Sequence, residues 1–228
     1  MGREIPILMS GPLVRATLEG AKPEYARSYP AKTQTRRPIK RENKPDPGFE
    51  WAECLCREID PSDTPCATCA ARFPGLAAAG DRLWVRETWT AAMHEPKGPA
   101  DCLYRADDNG CVEDLAEAKW TPSIHMPRWA CRLRLPLVKV RIERVQWISE
   151  ADAWAEGYGE HWQRRVKEAG ADGPLGRQSP QAWFATLWDK LYGTWGQNPW
   201  VAVYEWGQIE VSRFHERLLR RESQEGAL

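Results

Sequence analysis

Alternating apolar and polar residues predict a β-strand over residues 81–89. Leu83 and Glu87 share one face of this strand. The opposite face carries Trp84, Arg86 and Thr88. A carboxylate on an otherwise apolar face needs a cationic partner when it is buried. Arg36 or Arg37 is the candidate partner of Glu87, so the pattern predicts an ion pair as well as a strand.

Four other segments show strand patterns. The longest covers residues 131–147, and Pro136 interrupts its alternation. It predicts either two consecutive strands or one bent strand, with one face exposed to solvent. Shorter apolar segments next to turn-forming residues predict strands at residues 5–8, 102–106 and 200–206.

Helical periodicity between capping residues predicts three helices. The first is short and covers residues 11–20. The second covers residues 150–156, where Ser149 begins it in a loose capping box and a glycine ends it. The third begins after Ser179, with proline in its first turn, and ends at Gly193. Its predicted apolar face comprises Trp183, Phe184, Leu187, Trp188 and Leu191.

Length and composition indicate one globular domain with insertions. Residues 41–79 form a charged, proline-containing insertion, and residues 213–228 form a charged tail. Lysine and arginine total 32, as do aspartate and glutamate, so any attraction to nucleic acid must come from a local patch. No apolar run is long enough for a membrane span or a signal peptide, which predicts a cytoplasmic protein without membrane contact.

Two close cysteine pairs lie in the insertion. They are Cys54 with Cys56 and Cys66 with Cys69. Four thiolates can bind a structural zinc ion, and zinc supplies folding energy to a segment that lacks its own core. The other interpretation is four free thiols on a loop, because the spacing between the pairs is shorter than in common zinc ribbons.

A basic string of six residues, 32–37, carries a lysine, two threonines and two arginines. If the string is extended, Lys32 and Gln34 face one way and Thr35 faces the other. A tight turn would instead bring Lys32 and Thr35 together. The arginines are rigid donor forks suited to phosphate, although an isolated basic string is often only a solvated turn.

These motifs, in this order, resemble the ASCH family of the PUA-like superfamily, and within it the ASCH-like proteins of phages and prophages. The strings that carry the resemblance are residues 5–8, 32–37, 80–89, 122–129 and 148–153. The resemblance implies an α+β fold over residues 1–212, with a small mixed β-barrel, flanking helices and a cleft beside the basic string.

A small bacterial member of this family is an amidohydrolase that acts on N4-acetylcytidine. Its catalytic lysine, threonine and glutamate match Lys32, Thr35 and Glu156. Amide hydrolysis needs a nucleophile, a base and an acid for the leaving amine. By this resemblance Thr35 attacks or positions a water, Lys32 is the base if its pKa is lowered, and Glu156 moves the proton. The long insertions of the present chain leave its substrate open.

The wider superfamily implies an alternative, a non-catalytic module that binds RNA or another nucleic acid. Thirteen tryptophans can supply core area and also a stacking platform for bases. The residues assigned to nucleic-acid or substrate binding are Arg36, Arg37, Trp84, Arg86, Glu87, Arg128 and Trp129. A nuclease is a third hypothesis, which the sequence disfavours because it shows no acidic metal cluster.

Overall fold

The structure combines helices with a mixed, mostly antiparallel sheet, so the fold is α+β. The structure is a computed structural model. It describes residues 2–18, 31–39, 76–92, 96–107, 119–159 and 179–212. No helix in these six segments is long and apolar enough to cross a membrane.

A mixed sheet of six strands forms the centre of the fold. Its strands are β1 (Glu4–Leu8), β2 (Gln34–Pro38), β3 (Arg82–Arg86), β6 (Leu133–Arg144), β7 (Trp200–Trp206) and β8 (Glu210–Val211). They are ordered β1-β3-β6-β7-β2, and β8 also pairs with β6. Only β1 and β3 run parallel among these described pairs. Within the described residues the sheet is not closed into a barrel, and the predicted barrel stays a prediction. A separate hairpin consists of β4 (Trp89–Ala91) and β5 (Cys102–Tyr104).

The long alternating segment forms one bent strand, β6, as the second of the two alternatives predicted. Its first half pairs with β3 and its second half with β7, and the register shifts between Leu137 and Lys139. The predicted solvent-exposed face is wrong for three charged residues, two on this strand and one just before it. Arg132, Arg141 and Glu143 are buried.

Three α-helices flank the sheet in the described segments. They are α1 (Gly11–Leu18), α2 (Glu150–Ala153) and α3 (Pro180–Tyr192). The predicted capping box is confirmed, since Ser149 and Asp152 exchange both of its hydrogen bonds. Gly193 ends α3 in the left-handed conformation, as expected for a helix terminus. Leu191 is exposed, so its place on the predicted apolar face is wrong.

Strand β7 lies between two hydrophobic layers, and successive side chains of the strand point alternately into one layer and the other. Ala202 and Tyr204 pack in the layer that contains α1, together with Val14 and Leu18. Val201 and Val203 pack in the layer formed by α2, α3 and the turn after α2. Because β2 pairs with β7, each side chain of β2 faces one of these layers.

Candidate functional site

The basic string becomes strand β2 from Gln34 onward, so the extended alternative is correct for that part. Thr35 pairs with Tyr204 and therefore faces the layer of α1. Arg36 pairs with Val203 and faces the helical layer, where its guanidinium lies 5.7 Å from the centroid of the Phe184 ring. The side chains of Arg36 and Thr35 therefore lie on opposite sides of the sheet.

Lys32 lies just before β2 and is 1% exposed. Its Nζ donates to the carbonyl oxygens of Gln34, at 2.6 Å, and Glu156, at 2.8 Å. The third donor reaches the Glu156 carboxylate at 3.0 Å, although 124 residues separate the two in sequence. An ammonium has three N–H donors, and these three bonds use them all. The ammonium also lies 5.7 Å from the centroid of the Trp206 ring.

A π-helical turn, Trp154–Tyr158, follows α2 and presents Glu156 to Lys32. Gly157 lies inside this turn with φ +108°, a conformation that favours glycine. A Cβ at Gly157 would lie 3.4 Å from the Cβ of Ala16 and 3.5 Å from the Cδ of Lys32. These are ordinary van der Waals contacts, so the positive φ, and not a lack of space, favours glycine here. Single π turns of this kind occur frequently at functional sites.

Glu156 also belongs to a larger set of charges, the buried ion cluster. The cluster comprises Lys32, Arg36, Arg141, Glu143, Asp152 and Glu156. Arg36 is 1% exposed and its guanidinium contacts Glu143 at 2.5 Å and both Asp152 and Glu156 at 3.1 Å. Within these six residues three cations face three carboxylates, so each buried charge has a partner of opposite sign.

Arg141 completes the buried ion cluster from β6. Its guanidinium donates to Glu143 at 3.1 Å and to Asp152 at 2.6 Å. It also forms an ion pair with Glu205 on β7. Arg141 and Glu143 were not among the predicted site residues. The sequence signal was the alternation of charged and apolar residues in this segment, which was interpreted as a solvent-exposed face.

Burial and neighbouring charges shift several pKa values in the cluster, among them those of Lys32 and Asp152. Desolvation lowers the pKa of Lys32 to about 8, and Arg37 and Arg36 add to this, while Glu156 acts in the opposite direction. Burial raises the pKa of Asp152, but the guanidinium groups of Arg36 and Arg141 outweigh it and bring the value to about 2. The lysine therefore has a basicity suited to proton transfer near neutral pH.

Thr35 is 1% exposed, and its hydroxyl accepts a hydrogen bond of 2.7 Å from Arg37. Arg37 also donates to the carbonyl of Leu8 at 2.8 Å, which fixes the guanidinium on this side of the sheet. In the described part of the chain the structure brings Lys32 and Glu156 together, whereas Thr35 bonds to Arg37. The Gln34 carbonyl that binds the ammonium belongs to the peptide group joined to Thr35.

Other predicted binding residues meet on a different surface, here called the Trp84 surface. Arg86 and Arg128 lie over the Trp84 ring, with guanidinium-to-centroid distances of 5.5 and 5.7 Å. Trp129 is 41% exposed and packs edge-on against Trp89. The Trp84 surface therefore has two guanidinium groups over an aromatic ring. One of them, that of Arg128, also forms an ion pair with Glu4 at 2.5 Å.

Glu87 is buried, but its predicted pairing with Arg36 or Arg37 is wrong. Both carboxylate oxygens of Glu87 accept from Arg132 at 2.9 Å. Arg132 also pairs with Asp107 at 2.6 Å. Burial raises the pKa of Glu87 against the lowering effect of this arginine. Arg132 lies one residue before β6, next to β3, and this neighbour relation decides the pairing.

The four cysteines assigned to zinc, Cys54, Cys56, Cys66 and Cys69, lie outside the described residues. Zinc binding there stays a prediction. Among the described residues there is no group of three or more histidine, cysteine, aspartate or glutamate side chains that could hold a metal ion.

Comparison with known proteins identified no relative of this chain. No family model matches the chain, and no curated protein or solved structure matches it.

Proposed function

We propose that the chain is an amidohydrolase of an acylated nucleobase or nucleoside, of the N4-acetylcytidine type, on a PUA-like ASCH fold. The observation that supports this proposal is the buried ion pair between Lys32 and Glu156, with 3.0 Å between Nζ and Oε2. A lysine whose pKa is about 8 is partly neutral near pH 7 and can accept a proton. The adjacent carboxylate offers a route for that proton to a leaving group.

The proposed reaction uses three groups: Lys32 and Glu156 are in contact, whereas the Thr35 hydroxyl bonds to Arg37 and must turn towards Lys32. Thr35 Oγ attacks the acyl carbon, or positions a water that does so, and the proton released passes to the amine of Lys32. Arg37, 2.7 Å from this oxygen, stabilises negative charge on it. Glu156 carries the proton to the leaving amine as the carbon–nitrogen bond breaks. If Thr35 is the nucleophile, a water then hydrolyses the acyl ester and restores the hydroxyl.

The indole of Trp206 supports a binding role for the same place. Its Nε1 is buried and has no hydrogen-bond partner among the described residues. Buried donors without a partner are rare, and the carbonyl of an acyl group is an acceptor of the kind this one lacks. Lys32, Thr35 and Glu156 are at most 3% exposed. A substrate can therefore reach them only if the residues that cover the start of β2 move away.

Release of acetate from N4-acetylcytidine tests the proposal. Lys32→Arg keeps the charge but removes the low pKa, and Glu156→Gln removes the carboxylate; we expect each to reduce turnover by about a hundredfold or more. Glu210→Gln, which removes an exposed carboxylate paired with Arg82, is the matched control and should retain activity. Circular dichroism shows whether each variant is folded. A folded wild type that releases no acetate, or a fully active Lys32→Arg variant, would contradict the proposal.

A nucleic-acid-binding module is the second candidate, and the Trp84 surface favours it. Cations over an aromatic ring beside an exposed tryptophan provide phosphate contacts and base stacking. Single-stranded RNA binding that weakens steeply with salt would support this function. Under it, Trp129→Ala should weaken RNA binding while Lys32→Arg leaves it unchanged. The opposite pattern in the acetate assay would support the hydrolase.

A further inference from the structure

Arg36 is held by three of the elements that cover the helical side of β2. Its Nε and Nη2 donate to Oε1 of Glu143 on β6, at 2.9 and 2.5 Å. Nη2 also lies 3.1 Å from Oδ2 of Asp152 on α2, and the guanidinium lies over the Phe184 ring of α3. A guanidinium is planar, so contacts from three elements fix both its place and its orientation.

The Glu156 carboxylate lies between Arg36 and Lys32, with one oxygen on each. Oε1 accepts a hydrogen bond of 3.1 Å from Nη1 of Arg36, and Oε2 accepts one of 3.0 Å from Nζ of Lys32. Arginine keeps its protons in proteins, whereas a lysine in a buried site can lose one. Oε1 therefore faces a donor that does not release a proton, and Oε2 faces a donor that can.

The contacts of Arg36 leave it little capacity to bind a substrate directly. Its side chain is buried, and each of its three nitrogens contacts a carboxylate. Arg36 also lies on the opposite side of the sheet from the Thr35 side chain, which is the proposed nucleophile or water-positioning group. An effect of Arg36 on the proposed reaction must therefore act through Glu156.

We propose that Arg36 is a positioning residue of the hydrolase, which holds Oε1 of Glu156 and so confines proton transfer to Oε2 and Lys32. This inference rests on the proposed function, because it assigns a role within that reaction. Without Arg36, the carboxylate can rotate and Oε2 is no longer fixed on the amine. Burial lowers the pKa of Lys32 most, Glu156 raises it, and Arg37 and Arg36 lower it further. Arg36 therefore acts on both members of the pair.

Steady-state release of acetate from N4-acetylcytidine separates positioning from substrate binding. Arg36→Lys keeps the charge but cannot contact all three carboxylates in the same way. We expect kcat to fall about tenfold with KM unchanged, the loss of one charge-assisted hydrogen bond. Arg82→Lys, the same change in an arginine that pairs with the partly exposed Glu210, is the matched control and should retain both constants. A higher KM at unchanged kcat in Arg36→Lys, or an equal loss in Arg82→Lys, would overturn the proposal.

The pH profile of kcat gives a readout that a loss of packing alone would not move. Lys32 must be neutral to act as the base, so kcat rises with pH through the lysine pKa of about 8. Arg36→Met removes a charge that lowers this pKa, and the midpoint of the rise should move to higher pH. Arg36→Lys keeps the charge and should leave the midpoint in place. A midpoint that stays in place in Arg36→Met would contradict the proposed role.

A measurement without substrate distinguishes failure of this inference from failure of the proposed function. If the folded wild type releases no acetate, the hydrolase is refuted, and NMR titration of isotope-labelled Lys32 still tests the coupling. A higher midpoint in Arg36→Met than in the wild type supports positioning of the Lys32–Glu156 pair by Arg36, and equal midpoints refute it. If circular dichroism shows that Arg36→Met does not fold, Arg36→Gln, which also lacks the charge but keeps an amide donor, replaces it in both titrations.

Discussion

Replacing Glu156 by glutamine tests how the buried ion cluster is held together. The substitution removes one of three carboxylates that balance three cations, and it leaves Lys32 and Arg36 facing a neutral amide. Breaking a buried ion pair at one partner costs about 3–5 kcal/mol. Glutamine keeps one acceptor oxygen, so we expect the free energy of unfolding at pH 7 to fall by about 3 kcal/mol, measured by urea denaturation.

The pH dependence of the stability lost in Glu156→Gln tests whether Lys32 is protonated in the folded protein. Its folded pKa, about 8, is below its ordinary value of 10.5, so between these values the unfolded state binds more protons and stability rises with pH. Glu156 raises the pKa of Lys32, and without it the folded pKa falls further. The contribution of the lysine to the loss should therefore be fully present below the folded pKa of the variant, decrease as the pH rises, and disappear above about pH 8, where Lys32 is neutral in both proteins.

Two further variants make the reasoning refutable. Glu210→Gln removes a carboxylate whose pair with Arg82 is about 40% exposed on both sides, and should cost less than about 1 kcal/mol. Lys32→Met combined with Glu156→Gln removes the unpaired ammonium and should recover part of the lost stability. If Glu156→Gln costs no more than Glu210→Gln, or its cost does not change between pH 7 and pH 9, Lys32 is not a buried ammonium that depends on this carboxylate.

Three other predictions follow from the same elements. Gly157→Ala should lower stability in thermal unfolding by about 1–3 kcal/mol, because φ is +108°; an unchanged melting temperature would mean that the turn relaxes. Ser149→Ala should cost about 1 kcal/mol in urea denaturation through loss of the capping box, and Ser149→Thr clearly less. Asp152 has a folded pKa of about 2, below its ordinary 3.8, so its stabilisation is present above pH 3.8 and is lost as the pH falls towards 2. Asp152→Asn should flatten that part of the pH–stability curve, and an unaltered curve would contradict the assignment.

Local patterns were sufficient to predict several elements of the fold. The alternation in residues 81–89 predicted β3, and the serine, proline and glycine signals predicted both ends of α3. These predictions succeeded because alternation and capping depend on residues within a few positions of each other. The order of strands is not contained in such patterns. The parallel pairing of β1 with β3 joins residues 4–8 to residues 82–86, which are far apart in the sequence, and only tertiary packing decides it.

The candidate site could be predicted in part, and from the family resemblance rather than from local chemistry. Nothing near Lys32 indicates that its carboxylate partner lies 124 residues away, since long-range pairs depend on how the layers stack. The partner of Glu87 shows the same difficulty. Arg36 and Arg132 were chemically equivalent choices, and the place of Arg132 beside β3 selected it.

Burial changes what a basic string means. Residues 32–37 have the composition of a phosphate-binding surface, yet Lys32 and Arg36 are each 1% exposed because carboxylates from β6, α2 and the turn after it lie opposite them. A cation already paired with buried carboxylates has little left to offer an anionic ligand. Anion binding is therefore expected where arginines lie nearer the surface, as Arg86 and Arg128 do at the Trp84 surface, and not at the basic string.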